Sequence, residues 1–270
     1  MTVPFGRRLT DAVAARGPLC VGIDPHASLL AHWGLPDDPG GLARFTDAVV
    51  DALAGTVAVL KPQLAFYERH GSRGLAVLEG GVARARAAGA LVLLDAKRGD
   101  IGSTMDAYAD VLRPGHPMAA DALTVSPYLG PGALQPAVDT ARAHGGGLFV
   151  LARTSNPDAG TLQHARVGER SVAQVVVDTV RGWNADDRSG SFGVVVGATL
   201  AALDVDLTGL GGPVLAPGLG AQGGSVADLR RLFDRGTAVV PTVSRDVLAA
   251  GPDPAALRAA AGRWAAELAR

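Results

Sequence analysis

The chain has 270 residues, 48% hydrophobic and 19% charged, which allows a large core and excludes a disordered chain. A formal net charge of −1 gives no electrostatic basis for holding nucleic acid or an anionic membrane surface. No stretch approaches the roughly 18 apolar residues of a membrane span, and residues 1–17 lack the apolar run of a secretory signal, so a soluble cytoplasmic protein is expected.

Phe5, Leu9, Ala12 and Val13 recur at helical spacing ahead of the first strand and predict an extra N-terminal helix, placed to plug the bottom of a barrel. Eight short β-rich runs follow, at 19–24, 57–62, 90–97, 122–127, 147–153, 192–198, 213–217 and 238–244. Most are apolar throughout rather than alternating, as parallel strands covered on both faces are. The single cysteine, Cys20, lies inside the first run; it excludes an intrachain disulfide and reads as a small buried hydrophobe in a reducing compartment.

Amphipathic segments separate the runs. Phe45, Val49, Ala52 and Leu53 share one helical face, and Leu75, Leu78, Val82 and Ala85 another. Residues 154–168, with Asn156, Pro157 and Gly160, read as a long polar loop. Ser225 with Asp228 three residues on has capping-box spacing before a helix over 226–233. Asp253 and Pro254 supply an N-cap and a first-turn proline for a last helix, whose stripe is Leu257, Ala261, Trp264 and Leu268.

Eight strand-helix units in one series, without a linker or charge block, predict a single (β/α)8 TIM barrel over residues 1–270 with an extra N-terminal helix. The first strand lacks the Gly-x-Gly-x-x-Gly turn that an open dinucleotide-binding sheet would need.

In barrels the carboxyl ends of the strands build the active site. Here those ends carry Asp24, then Lys61, then Asp95 and Lys97 with Asp100 beyond Gly99, then Ser126, then Arg153 to Asn156, and finally Ser244 and Arg245. In an extended strand residues i and i+2 share a face, so Asp95 and Lys97 are expected to point the same way. Ionisable groups at the end of a buried strand are costly, which points to a function, although a structural ion pair would use the same residues. Gly218, Gly220, Gly223 and Gly224 free the backbone to present N–H groups, and a helix N-terminus follows at Ser225. With Arg245 on the neighbouring strand this is anion-binding geometry, where barrels commonly hold phosphate.

The six histidines are scattered without paired ligand spacing, so no metal site is expected. No Ser-His-Asp set is evident, and Cys20 has no obvious base beside it.

The run from Leu94 to Thr104, containing Asp95, Lys97, Arg98, Gly99 and Asp100, resembles the signature of the orotidine 5′-phosphate decarboxylases, in their longer bacterial subgroup. Leu19 to Pro25, Lys61 to Glu68, Arg153 to Pro157 and Ala216 to Gly220 match that subgroup in order. One departure is Pro241-Thr242-Val243 ahead of Ser244 and Arg245, where a more polar lead-in is expected.

The resemblance implies a homodimeric barrel enzyme without metal or organic cofactor that converts orotidine 5′-monophosphate to UMP and CO2 in pyrimidine biosynthesis. It implies that Lys97 protonates C6, that Asp95 lies against the substrate carboxylate, and that Lys61 links the charged array to the ribose. Asp24 would accept a ribose hydroxyl and Ser126 would read the pyrimidine edge. Gln222 and Arg245, with Gly218 and Gly220, would hold the phosphate. Asp100 and Thr104 would reach into the partner subunit's site.

The chemistry needs such a cation. Loss of CO2 from C6 leaves a carbanion in the ring plane, which the ring π-system cannot delocalise, so a fixed ammonium must stabilise it and can then protonate it. Two alternatives stand beside this. One is a Mg²⁺-dependent sugar-phosphate decarboxylase or aldolase of the same superfamily, against which Lys61 counts because a cation there would oppose a metal. The other is a phosphate-binding barrel without catalysis, which would leave the charge array unexplained.

Overall fold

The computed structural model describes residues 2–187 and 190–270. Eight strands run β1 (Cys20–Ile23), β2 (Val59–Pro62), β3 (Leu91–Arg98), β4 (Ala122–Val125), β5 (Gly147–Arg153), β6 (Phe192–Val196), β7 (Val214–Pro217) and β8 (Val239–Val243). Each pairs in parallel with its sequence neighbours, and β8 closes on β1 through Cys20↔Thr242 and Val21↔Val243. This is a closed (β/α)8 barrel. All eight expected runs are strands, most of them trimmed by one or two residues at an end.

Alternation along each strand sorts the core into two regions. Val21, Leu60, Val92, Leu94 and Leu123 face the helices, whereas Cys20, Val59, Leu91, Leu93, Ala122, Phe149, Leu215 and Val240 pack together inside the barrel. Continuing the inward series two residues further along brings Lys61 after Val59, Asp95 after Leu93, Thr124 after Ala122 and Thr242 after Val240. The positions that form the apolar layers below therefore carry the polar groups above.

The N-terminal helix Phe5–Arg16 buries Phe5, Leu9 and Ala12 against this inner cluster. Phe5 meets Phe149 edge-on, with ring centroids 6.0 Å apart. Gly147 makes room for it, since a Cβ there would fall 2.2 Å from the Phe5 ring. Arg8 ties the helix to Asp121 and to the Gly145 carbonyl, 2.9 Å away. The bottom of the barrel is thus plugged.

Two stretches differ from the sequence reading. Residues 154–168, expected as a loop, contain the helix Ala159–Gln163 and one arm of a two-residue hairpin, Arg166–Val167 against Arg170–Ser171. Such pieces are too short to show a hydrophobic period. The helix Val226–Leu232 ends one residue earlier than expected and carries the full capping box between Ser225 and Asp228. Among the described residues no helix is long and apolar enough to cross a membrane.

Candidate active site at the carboxyl ends of the strands

A cavity of about 360 Å³ opens where the strands end, above the inner apolar layers. Asp24, Lys61, Asp95, Lys97, Gly218, Gln222 and Arg245 all line it.

Asp95 is its centre. Its Oδ2 accepts from Lys61 Nζ at 2.7 Å and from Gln63 Nε2 at 3.1 Å. Its Oδ1 accepts from Lys97 Nζ at 2.5 Å and from Thr124 Oγ1 at 2.9 Å. Lys61 and Asp95 are buried at 4% and 7% exposure, while Lys97 reaches the open cavity. Burial alone would raise the Asp95 carboxyl, but Lys61 and Lys97 outweigh it and hold the group well below the carboxylate range. Burial would likewise lower Lys61, yet Asp95 and Asp24 raise it above an ordinary lysine. Both partners therefore stay ionised at neutral pH.

The extended-strand argument does not account for the Asp95–Lys97 contact. The register of β3 against β4 shifts between Leu94 and Arg98, and Lys97 sits at φ 50°, a left-handed conformation rare for a side-chain residue. Thr124 Oγ1 holds this bulge by accepting from both Ala96 N and Lys97 N at 3.0 Å. The bulge re-aims Lys97 back over Asp95.

On the neighbouring wall, Asp24 Oδ1, Thr242 Oγ1 and Ser244 Oγ are buried without a partner among the described residues. Gly22 lets β1 and β8 approach, since a Cβ there would lie 2.9 Å from Ser244 Cβ. Arg245, the residue after Ser244, is exposed and lines the cavity as well.

The glycine loop behaves differently from the expectation. Gly220 N, Gly223 N and Gly224 N are spent on Gly224, Gly220 and Gly218 carbonyls inside the loop, at 2.8, 2.7 and 3.0 Å. Between them Ala221 and Gln222 line the cavity. The helix N-terminus at Ser225 is closed by its own box, with Ser225 N donating to Asp228 Oδ2 at 3.0 Å, and is not part of the cavity wall. An anion would therefore meet Arg245, Gln222 and the 221–222 backbone. Gly220 lies outside the lining and has a packing reason, since a Cβ would fall 2.2 Å from Asp246 Oδ2.

Three further expected residues stand off this cavity. Asp100 accepts from Ile101 N at 2.8 Å just past β3, Thr104 is exposed on the helix Gly102–Ala109, and Ser126 follows β4 with its carbonyl against Gly99. Two serines do line it, Ser155, beside Thr154 and Asn156 after β5, and Ser244 after β8; His26 and Gln63 line it as well. Strand-end position marked Thr154 to Asn156 in the sequence. Nothing local marked Gln63, whose position depends on an isolated bridge to Asp95. Among the described residues no group of three or more His, Cys, Asp or Glu could hold a metal ion.

Fold and site together define a (β/α)8-barrel enzyme with an alternating acid–base array at its mouth. The sequence profile of the orotidine 5′-phosphate decarboxylase / HUMPS family matches residues 17–260. The chain belongs to that family. It is 61% identical over 267 residues to the orotidine 5′-phosphate decarboxylase of Salinispora arenicola, covering 97% of this chain and 96% of the relative. It is 61% identical over 269 residues to that of Streptomyces coelicolor, covering 98% and 97%. Among solved structures, the OMP decarboxylase of Leishmania donovani is 34% identical, with a TM-score of 0.75 over 98% of both chains. A Streptomyces avermitilis chain described as a candidate decarboxylase of the same kind is 59% identical, with a TM-score of 0.95 over 100% of this chain and 96% of that one.

Proposed function

We propose that this chain decarboxylates orotidine 5′-monophosphate to UMP and CO2, with Lys97 as the acid. The observation that carries the reading is Asp95, fixed between Lys61 and Lys97 on the wall of a cavity that Arg245 also lines. The C6–carboxylate bond breaks, its electron pair remains on C6, and CO2 departs. The Lys97 ammonium faces the pair as it develops and gives it a proton; solvent reprotonates the lysine. Asp95 orients that ammonium and keeps it charged, and Lys61 prevents Asp95 from taking the proton. Asp24 suits a ribose hydroxyl, and Arg245 with Gln222 suits the phosphate, whose binding energy would hold the ring against Lys97. Reading of the pyrimidine edge passes from Ser126 to Ser155, which is on the wall.

Asp100 and Thr104 are assigned to the site of a second copy. Both lie off the cavity of their own chain, on a face that exposes Ile101 at 62% and Tyr128 at 75%. The free Cys20 thiol and nucleotide substrate fit a cytoplasmic setting.

Purified protein should consume orotidine 5′-monophosphate, followed by its absorbance change, equally with and without EDTA. No turnover in either arm would sink the proposal. Turnover of a sugar phosphate that EDTA abolishes would favour the Mg²⁺-dependent alternative.

A further inference from the structure

The excursion after β5 contains a chain of hydrogen bonds that starts at a backbone group, which fixes the direction of the first two. Thr154 N is the first amide beyond the strand, and it donates to Gln163 Oε1 at 2.9 Å. A backbone N–H can only donate, so the Gln163 amide cannot be turned over. Its Nε2 therefore faces Thr154 Oγ1, to which it donates at 2.8 Å. The Thr154 hydroxyl still has a proton to place, and the acceptor it meets among the described residues is Asn156 Oδ1, 2.6 Å away. Asn156, a residue of the cavity wall, is then left with its oxygen committed to Thr154 and its NH₂ group without a partner among the described residues.

The helix Ala159–Gln163, which delivers Gln163, is itself anchored. His164 Nε2 lies 2.8 Å from Asp204 Oδ2, and Asp204 also accepts from Arg153 Nε at 2.9 Å. A short helix pinned at its end, with one glutamine holding the strand end by two atoms, is more than a surface loop requires.

We propose that Asn156 is a substrate-reading donor for an acceptor oxygen of the bound nucleotide, and that Gln163 is the positioning residue that sets its polarity through Thr154. This rests on the nucleotide reading of the cavity. Gln163→Glu can still accept from Thr154 N but cannot donate to Thr154 Oγ1. The threonine proton then turns to the glutamate, and Asn156 loses its imposed orientation. Asn156→Asp replaces the donor by an acceptor at nearly constant shape.

The test measures UMP affinity and orotidine 5′-monophosphate kinetics for the wild type, Asn156→Asp, Asn156→Ala, Gln163→Glu and the double variant Asn156→Ala/Gln163→Glu, with Gln163→Met as substitute should Gln163→Glu melt early. Asn156→Asp and Gln163→Glu should each weaken UMP roughly tenfold and raise KM more than they lower kcat, as loss of one hydrogen bond to a ligand does. In the Asn156→Ala background Gln163→Glu should cost less than twofold, because its only route to the ligand is gone. Equal costs of Gln163→Glu in both backgrounds would make it merely structural and overturn the positioning role. Wild-type UMP affinity in Asn156→Asp would overturn the donor role while leaving the decarboxylase reading intact. A wild type that neither binds UMP nor turns over substrate would overturn that reading and this one with it.

Discussion

Lys97 combines two costs at one residue, a left-handed backbone and an ammonium beside a buried carboxylate. Left-handed conformations of side-chain residues cost roughly 1–3 kcal/mol and persist only where the surroundings impose them. Thr124 supplies the constraint, because one hydroxyl accepts two bulge amides and donates to Asp95. Thr124→Val should therefore relax the bulge, lowering kcat by about 10²-fold and stability by about 1–3 kcal/mol in urea unfolding. Lys97→Ala should lower turnover by at least about 10³-fold while UMP binding stays within tenfold, by titration calorimetry. Asp95→Asn leaves Lys61 buried beside a neutral amide, and urea unfolding should show a loss of about 3–5 kcal/mol. The sign of the pH dependence follows from the same pair. The folded Asp95 carboxyl lies below its unfolded value of 3.8, so its contribution is complete above that pH and is lost as pH falls towards the folded value. Lys61 is raised above 10.5, so its contribution is complete below that pH and lost only as pH rises beyond it. Thermal melting should be insensitive to this ion pair between those limits. The charged residues were legible in the sequence, but the bulge that aims Lys97 was not, since it depends on a threonine 27 positions away.

At the scale of elements, strand ends and helix caps carry most of what could be read in advance. Continuous apolar runs marked the strands because both faces are covered, and the inward alternation then continued into Lys61, Asp95 and Thr242 without further assumption. Glycines were less legible: Gly220 and Gly224 look like an anion cradle in sequence, but their amides bond within the loop. The helix after them is equally self-contained. Ser225→Ala should cost about 1 kcal/mol in stability through the lost cap and leave UMP affinity unchanged, whereas Arg245→Ala should weaken UMP strongly with little effect on melting. If Ser225→Ala weakened UMP as much as Arg245→Ala, the helix N-terminus would be part of the phosphate site after all. The excursion at 154–171 was missed because five-residue helices and two-residue strands carry no period, although its role depends on them.

For the whole molecule, the single chain presents a cavity with four alternating charges and leaves Asp100 outside it. A second copy that supplies Asp100 makes a numerical prediction. When inactive Lys97→Ala and inactive Asp100→Ala proteins are mixed and allowed to exchange, half of the dimers are mixed and one of their two sites is intact. About a quarter of wild-type activity should return. No recovery once mixed dimers are shown by mass spectrometry would place Asp100 in its own chain's chemistry or outside it.

The plug at the bottom of the barrel has a consequence for traffic. Phe5 seated over Gly147 and Phe149, with Cys20, Leu93 and Leu215 above, fills the barrel axis beneath the cavity. Whatever reaches Lys97 arrives through the same doorway by which the spent nucleotide departs. The two cannot pass each other, so product should compete strictly with substrate, with intersecting lines at a common kcat. Chemistry at one end of a closed tube thus makes emptying the tube part of each turnover.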